Sequence, residues 1–261
     1  MRLFERNRRK TTLTAAGVAF RDDAVRAISQ LDQAIRRARL AANGKLGLLR
    51  IGFISTAGSE IVPNIVGQFR ELNPEVEFSL RAIPTADQLQ MLETGSLDVG
   101  FLRLPIVGHS ALDVVAVHRE RFVLVLPASH KLAKRKRVRL SEVSGEDFVM
   151  YERTFAPGFH DLIFGMLRDA AIVPNVSQTG AELATLVSLV DAHMGIAILP
   201  ASAVSHSVAS VIACDIVDQI PRSEIAMVVS KHVRAAVVDN FRSFALKNLG
   251  RARKSLPANG S

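Results

Sequence analysis

The sequence predicts an α/β protein in which two strand-and-helix units follow a short basic ribbon and one long helix. Three observations carry that expectation. From Leu46 onward, short apolar runs alternate with stretches of helical spacing, and the alternation occurs twice. Residues 14–42 hold no proline and repeat apolar side chains at steps of three and four. The excess positive charge lies at the start: residues 1–50 hold 12 Lys and Arg against 4 Asp and Glu, and residues 51–261 hold 21 of each. The whole formal charge of +8 therefore sits on the first fifth of the chain, which points to a head that meets a polyanion and a neutral body with another task.

Residues 2–14 read as two extended pieces around the polar tip Asn7-Arg8-Arg9-Lys10, a basic β-ribbon. A helix then runs from Thr14 to about Ala42, with Val25, Ile28, Leu31, Ile35, Ala38 and Ala42 on one stripe. At 1.5 Å per residue it is about 42 Å long. A small head cannot bury a seam of that length, so the seam calls for a partner, most simply the same helix of a second copy. Asn43-Gly44 supplies the C-terminal stop.

In the first unit, Leu48–Ile54 is a buried strand, Ser55-Thr56-Ala57-Gly58 its turn, and about 59–72 a helix closed by Asn73-Pro74. Val76–Ile83 is the next strand. Thr85 and Gln88 have capping-box spacing and open a helix ending near Gly95, before a strand at Leu97–Leu102. This order implies parallel pairing with right-handed crossovers. In the second unit, strands are expected at Arg121–Ala128, Phe148–Tyr151 and Ile196–Leu199, an extended stretch at Val173–Gln178, and helices over 158–170 and 181–193. The basic stretch Lys131–Arg139 reads as a solvated loop. A strand at Glu224–Val229 and a helix at Arg234–Leu249 close the body, and the tail after Gly250 is expected to be disordered.

Composition excludes several functions. Aromatic residues make up 5%, with Tyr151 the sole tyrosine and no tryptophan, which argues against binding single strands by base stacking. The lone Cys214 permits no internal disulfide and no thiol cluster for zinc or iron–sulfur. No apolar run reaches the roughly 20 residues of a membrane span, and no secretory h-region follows Met1, so a cytoplasmic protein that touches no membrane is expected. No P-loop, G-x-S-x-G elbow, Rossmann glycine fingerprint or H-E-x-x-H is present, and His118 near Glu120 and His160 beside Asp161 form neither a metal set nor a nucleophile pair. No catalytic residue, metal or cofactor is expected.

What remains is a binding cleft. In parallel α/β sheets ligands sit beyond the carboxyl ends of strands, where helix starts present unpaired N–H groups. Ser55, Thr56 and Thr85 occupy such corners in the first unit. Pro157-Gly158-Phe159 opens a helix in the second, with glycine for close backbone approach and Phe159 as an aromatic wall, and Arg103 beyond the third strand adds positive charge. Together they describe a pocket for a small organic anion.

The same residues carry a resemblance. Leu3-Phe4-Glu5-Arg6 with LTAAG at 13–17, Leu49-Arg50-Ile51-Gly52 with Pro63 and Asn73-Pro74, Leu97-Asp98-Val99-Gly100, FVLVLPASHKLA at 122–133 and Gly195-Ile196-Ala197-Ile198-Leu199-Pro200 follow in an order and spacing that resembles the LysR-type transcriptional regulators. The resemblance covers nearly the whole chain. It implies two Rossmann-like subdomains of the type 2 periplasmic-binding-protein fold over 46–250: subdomain I at about 46–122 and 229–250, subdomain II at about 128–223, joined by crossing strands near 122–128 and 224–229. Residues 1–13 then resemble the remnant wing of a winged helix-turn-helix, 14–45 the linker and dimerisation helix, and 251–261 a disordered tail.

The resemblance also implies an inducer between the subdomains, nearest to the regulators of aromatic-acid degradation with muconate-like dicarboxylates or benzoate-like acids, and assembly into dimers or tetramers, with further copies or full-length relatives. The family begins with roughly 60 residues of helix-turn-helix, of which only the wing has a counterpart here. The helix that would read base edges is missing from this chain. Arg6, Arg8 and Arg9 remain as contacts to DNA phosphates or a minor groove, and such contacts do not specify sequence. Either the reading frame is truncated or wrongly started, or the product lacks autonomous operator recognition and sequesters full-length partners. Two rival readings share the fold: a cytoplasmic solute-binding protein without DNA binding, and a small-molecule enzyme using the same cleft.

Overall fold

The computed structural model describes residues 1–7, 10–59, 61–205, 210–232 and 235–255. The antiparallel ribbon of β1 (Phe4–Asn7) and β2 (Lys10–Leu13) leads into α1 (Ala15–Ala42). Arg6 sits in β1 opposite Thr11, whereas Arg8 and Arg9 lie outside the described residues. Thr14 caps α1 by accepting from the Gly17 N–H at 2.9 Å. Gly17 is buried because the ribbon folds back on it: a Cβ there would stand 2.0 Å from the Leu3 carbonyl oxygen. At the other end Asn43 caps the helix, and Gly44 turns with φ +64° against the Ala236 carbonyl. Between these ends the seam is open, with Val25 and Ile28 61% exposed and Leu31 60%.

The first lobe follows as β3 (Gly47–Phe53), α2 (Ser55–Ser59), α3 (Ile61–Leu72), β4 (Val76–Ala82), α4 (Thr85–Glu93), β5 (Val99–Arg103) and β6 (Leu112–Glu120). The second holds β7 (Phe122–Pro127), β8 (Arg137–Val138), β9 (Asp147–Tyr151), α5 (Pro157–Asp169), β10 (Asn175–Gly180), α6 (Leu183–Asp191), β11 (Ala197–Pro200), α7 (Ala201–Ser205) and β12 (Val211–Ile216). The chain then returns to the first lobe with β13 (Ser223–Ser230) and α8 (Ala236–Ser255). Among the described residues no helix is long and apolar enough to cross a membrane.

The first sheet has the order β4-β3-β5-β13-β6. Its pairs β3–β4 and β3–β5 are parallel, as the strand-helix alternation requires, while β13 runs antiparallel to β5 and β6. The second sheet has the order β11-β7-β12-β8, with β7 antiparallel to β11 and β12; the parallel pair β9–β10 joins it beside β11 through the bridge between Phe148 and Ile196. Both sheets are therefore mixed. Each returning strand arrives from the other lobe and enters against the direction of its neighbour.

Several boundaries differ from the sequence expectation. The chain changes lobe at Arg121 and again over 217–222, so β7 belongs entirely to the second sheet and β13 entirely to the first. The return to the first lobe thus comes at Ser223, ahead of the expected 229. The sequence does not predict strands β6, β8 and β12 or the short α7; β8 lies inside Lys131–Arg139, expected as a solvated loop, and pairs with β12 while Val138 is buried. β6 lies at a sheet edge and carries Asp113, His118, Arg119 and Glu120, which blur its alternation. Helix α8 continues to Ser255, so 251–255 are helical where disorder was expected, and 256–261 lie outside the described residues.

Each lobe has its own core. The faces of the first sheet are covered by α3 with α8 and by α4; Phe69 meets Phe241 and Phe244 edge-on at 5.1 and 5.3 Å. The second sheet is covered by α5 and α6, with Phe148, Phe159, Leu167 and Leu186 at its centre. Cys214 is one of these core residues, as its apolar run suggested, and its thiol hydrogen-bonds the Arg135 carbonyl at 3.0 Å.

Candidate functional site

Residues of both lobes line one half-open cavity of about 320 Å³. Its first-lobe wall comes from the ends of β3, β5 and β6 and the starts of α2 and α4. Its second-lobe wall comes from β9 and the starts of α5, α6 and α7. Ser55, Thr56, Thr85, Arg103 and Phe159, singled out from the sequence, all line it. Ile54, Ile61, Leu183 and Ile225 make the wall largely apolar.

The local structure explains each placement. Ser55 and Thr56 belong to the first turn of α2, in place of the expected loop, and the amides of Ala57 and Gly58 close that turn on the Ile54 carbonyl at 2.9 and 3.1 Å. Gly58 permits the turn: a Cβ would meet the Phe53 ring at 2.5 Å. The capping box expected at Thr85 does not form. Pro84 is the N-cap, and Gln88 points inward, giving its amide hydrogens to the Ile83 carbonyl at 2.7 Å and the Phe101 carbonyl at 3.3 Å. Thr85 instead accepts from the Arg103 backbone N–H at 3.3 Å, which keeps its own hydroxyl hydrogen for the cavity.

Arg103 organises the floor. Its guanidinium donates to Thr56 Oγ1 at 2.7 Å and to Ser223 Oγ, stands 3.8 Å from Glu120, and lies 5.1 Å from the centre of the Phe159 ring. Burial pushes its pKa down and Glu120 opposes that, but an arginine stays charged across any physiological range. Glu120 accepts from the Ser202 N–H at 2.7 Å and the Ser202 hydroxyl at 2.9 Å, and His118 stands 3.9 Å from it. This buried ion pair joins the lobes through Ser202. Tyr151 packs edge-on against Phe159 at 5.6 Å, and burial with Glu182 nearby pushes its hydroxyl up to about 12. It is therefore a proton donor at neutral pH.

The lobes touch at three further points around the cavity. Ser55 donates to Glu182, the residue before α6; Ala86 N–H donates to the Phe155 carbonyl at 3.0 Å; and Gly158 abuts Pro105. A Cβ on Gly158 would stand 1.9 Å from the Pro105 oxygen. The expected role of Pro157-Gly158 at the ligand is thereby corrected: neither residue lines the cavity. Pro157 starts α5 in the position where its missing N–H is harmless, and Gly158 makes room for the opposite lobe. Phe159 serves both core and cavity wall.

Besides Arg103, four ionisable side chains among the described residues line the cavity and are not predicted as site residues from the sequence. Glu120 and His118 had been judged only as a catalytic or metal pair, and they sit on the unforeseen β6. Tyr151 had been read only as the last residue of its strand. Glu182 was absorbed into a helix expected from residue 181, although it occupies a strand-to-helix corner like that of Ser55.

Comparison with known proteins assigns this architecture. The LysR substrate binding domain matches residues 42–250. The chain belongs to that family. The regulator YnfL of Escherichia coli (strain K12) is 36% identical over 202 residues, a span of 77% of this LysR-family chain and 68% of that protein. CbnR, a LysR family transcriptional regulator of known structure, superposes with a TM-score of 0.79 at 25% identity, covering 93% of this chain and 84% of CbnR. The effector binding domain of QuiR in complex with shikimate gives a TM-score of 0.73 at 22% identity over 79% of this chain and 98% of that domain, a likeness of fold. The match to YnfL spans about two thirds of that relative's length. YnfL and CbnR are regulators and not enzymes, in agreement with a cleft that was expected to lack catalytic groups.

Proposed function

We infer that this chain is the effector-responsive part of a LysR-type transcriptional regulator that holds a small organic acid between its lobes. One observation carries the reading: one half-open pocket gathers the hydroxyls of Thr56, Thr85 and Tyr151, the Arg103 guanidinium and an apolar wall from two lobes. The hydroxyls and the nearby guanidinium suit a carboxylate, and the apolar wall suits the carbon skeleton of an aromatic or alicyclic acid. The likeness to a shikimate-bound effector domain supports this class of ligand. Bound acid favours one arrangement of the lobes only by its difference in affinity for the two arrangements.

The remaining assignments follow the same reading. The α1 seam brings copies together as dimers or tetramers, and the ribbon with Arg6, Arg8 and Arg9 adds phosphate contacts without specifying sequence. Such a regulator works in the cytoplasm, where its operator lies.

A thermal-shift panel of aromatic, dicarboxylic and hydroxylated alicyclic acids tests the ligand assignment. A true ligand at 100 times its Kd adds about 2.7 kcal/mol of stability. For a chain of this size that raises Tm by roughly 5–10 °C. A flat response across the whole panel would contradict the reading.

A further inference from the structure

We propose that Glu182 makes this cleft selective for organic acids that carry a hydrogen-bond donor, a hydroxyl or an amine, at the end remote from their carboxylate, and that it turns dicarboxylates away. The inference rests on the organic-acid reading above and narrows its ligand class.

It begins with an unusual choice of partner. Glu182 stands at the N-cap of α6 with extended backbone, φ −129° and ψ 139°, yet its side chain makes no capping bond to the helix behind it. The carboxylate reaches across the cleft instead and accepts the hydroxyl hydrogen of Ser55. A protein carboxylate thus already holds one of the hydroxyls at the cleft edge, and it lines the same cavity.

The charge around the cavity sharpens the point. Among the described residues the lining contains one buried guanidinium, Arg103, one imidazole, His118, which stands 3.9 Å from Glu120, and two carboxylates, Glu120 and Glu182. Arg103 is committed to Thr56, Ser223 and Glu120, so its charge is largely answered within the protein. One ligand carboxylate can still be received by the hydroxyls of Thr56, Thr85 and Tyr151 beside that guanidinium. A second ligand carboxylate finds no lysine and no further arginine among the described lining residues, and Glu182 lines the same half-open cavity. Like charges brought together at this exposed edge repel, with water screening part of the effect. A hydroxyl or amine at that end meets Glu182 as an acceptor and makes a charge-assisted hydrogen bond.

The test titrates the full chain and the Glu182→Gln variant, by calorimetry, with benzoate, 3- and 4-hydroxybenzoate, 4-aminobenzoate, terephthalate and cis,cis-muconate. Glutamine keeps the volume and the bond across to Ser55 while removing the charge. For the wild-type chain the hydroxy and amino acids are expected to bind on the order of 10-fold or more tighter than benzoate, the scale of one hydrogen bond to a charged group. Terephthalate and muconate are expected to bind weakest. In Glu182→Gln the dicarboxylates should gain on the order of 10-fold, with a smaller change for benzoate.

Acids that bind without regard to a donor, or an order that Glu182→Gln leaves unchanged, would overturn this inference and leave the organic-acid reading intact. If no acid of this series and none of the wider panel binds either protein, both fall together. Circular dichroism and Tm of the variant, expected near wild-type values because Glu182 lies at the cleft edge, separate lost selectivity from lost folding.

Discussion

Replacing Arg103 with methionine should destabilise the chain by about 3–5 kcal/mol, the usual cost of stripping one partner from a buried ion pair. The side chain is 4% exposed and Glu120 9%, so the orphaned carboxylate would have little water to turn to. Its remaining partners are His118 at 3.9 Å and the Ser202 amide and hydroxyl, and the Ser202 groups stabilise the charge without neutralising it. The same change strips Ser223 and Thr56 of a donor and removes the cation over Phe159. Denaturant unfolding measures the loss. The double variant Arg103→Met with Glu120→Gln should be less impaired than the sum of the singles, by a coupling of about 1–3 kcal/mol. A single-variant cost under about 1 kcal/mol would mean that this cluster does not hold the floor of the cleft. Since Arg103 also flanks the hydroxyls offered to the ligand, the variant should lose the thermal shift given by any acid that stabilises the wild-type chain.

The second large effect concerns α1. Changing Ile28 and Leu31 together to glutamate should abolish self-association while leaving the monomer folded. Both side chains are open to solvent within one chain, so neither substitution disturbs an internal contact. In a paired helix each is worth about 1.5–3 kcal/mol of apolar burial. A pair of copies loses four such side chains, about 6–12 kcal/mol, which weakens association by at least about 10⁴-fold before the repulsion of four buried carboxylates is counted. Sedimentation equilibrium reads the result, and removal of residues 1–45 should act in the same direction. Unchanged association in both would leave contacts of the lobes as the only source of assembly.

Much of this architecture is legible in the sequence because local rules and tertiary packing agree there. The Thr14 cap, the Asn43-Gly44 stop and the parallel trio of β3, β4 and β5 follow from capping chemistry and the alternation of apolar runs. The corner rule for α/β sheets leads to Ser55, Thr56, Thr85 and Arg103, which the fold brings around one cavity. The rest depends on pairings far apart in the chain. Antiparallel β13 enters between β5 and β6 after more than a hundred residues, and nothing in its own sequence states that direction. Gly158 looked like room for a ligand and proved to be room for Pro105 of the other lobe. Glu120 and Glu182 acquire meaning only when Ser202 and Ser55 arrive opposite them. Side chains whose partners lie 82 and 127 positions away leave no local pattern to read.

A crystal structure of the chain grown with the acid that gives the largest thermal shift would show whether an organic acid sits between the lobes. Density is expected for one molecule in the cavity, its carboxylate within hydrogen-bonding distance of the Thr56, Thr85 or Tyr151 hydroxyls and its skeleton against Phe159. An acid found on an outer surface, with the cleft holding only solvent, would contradict it.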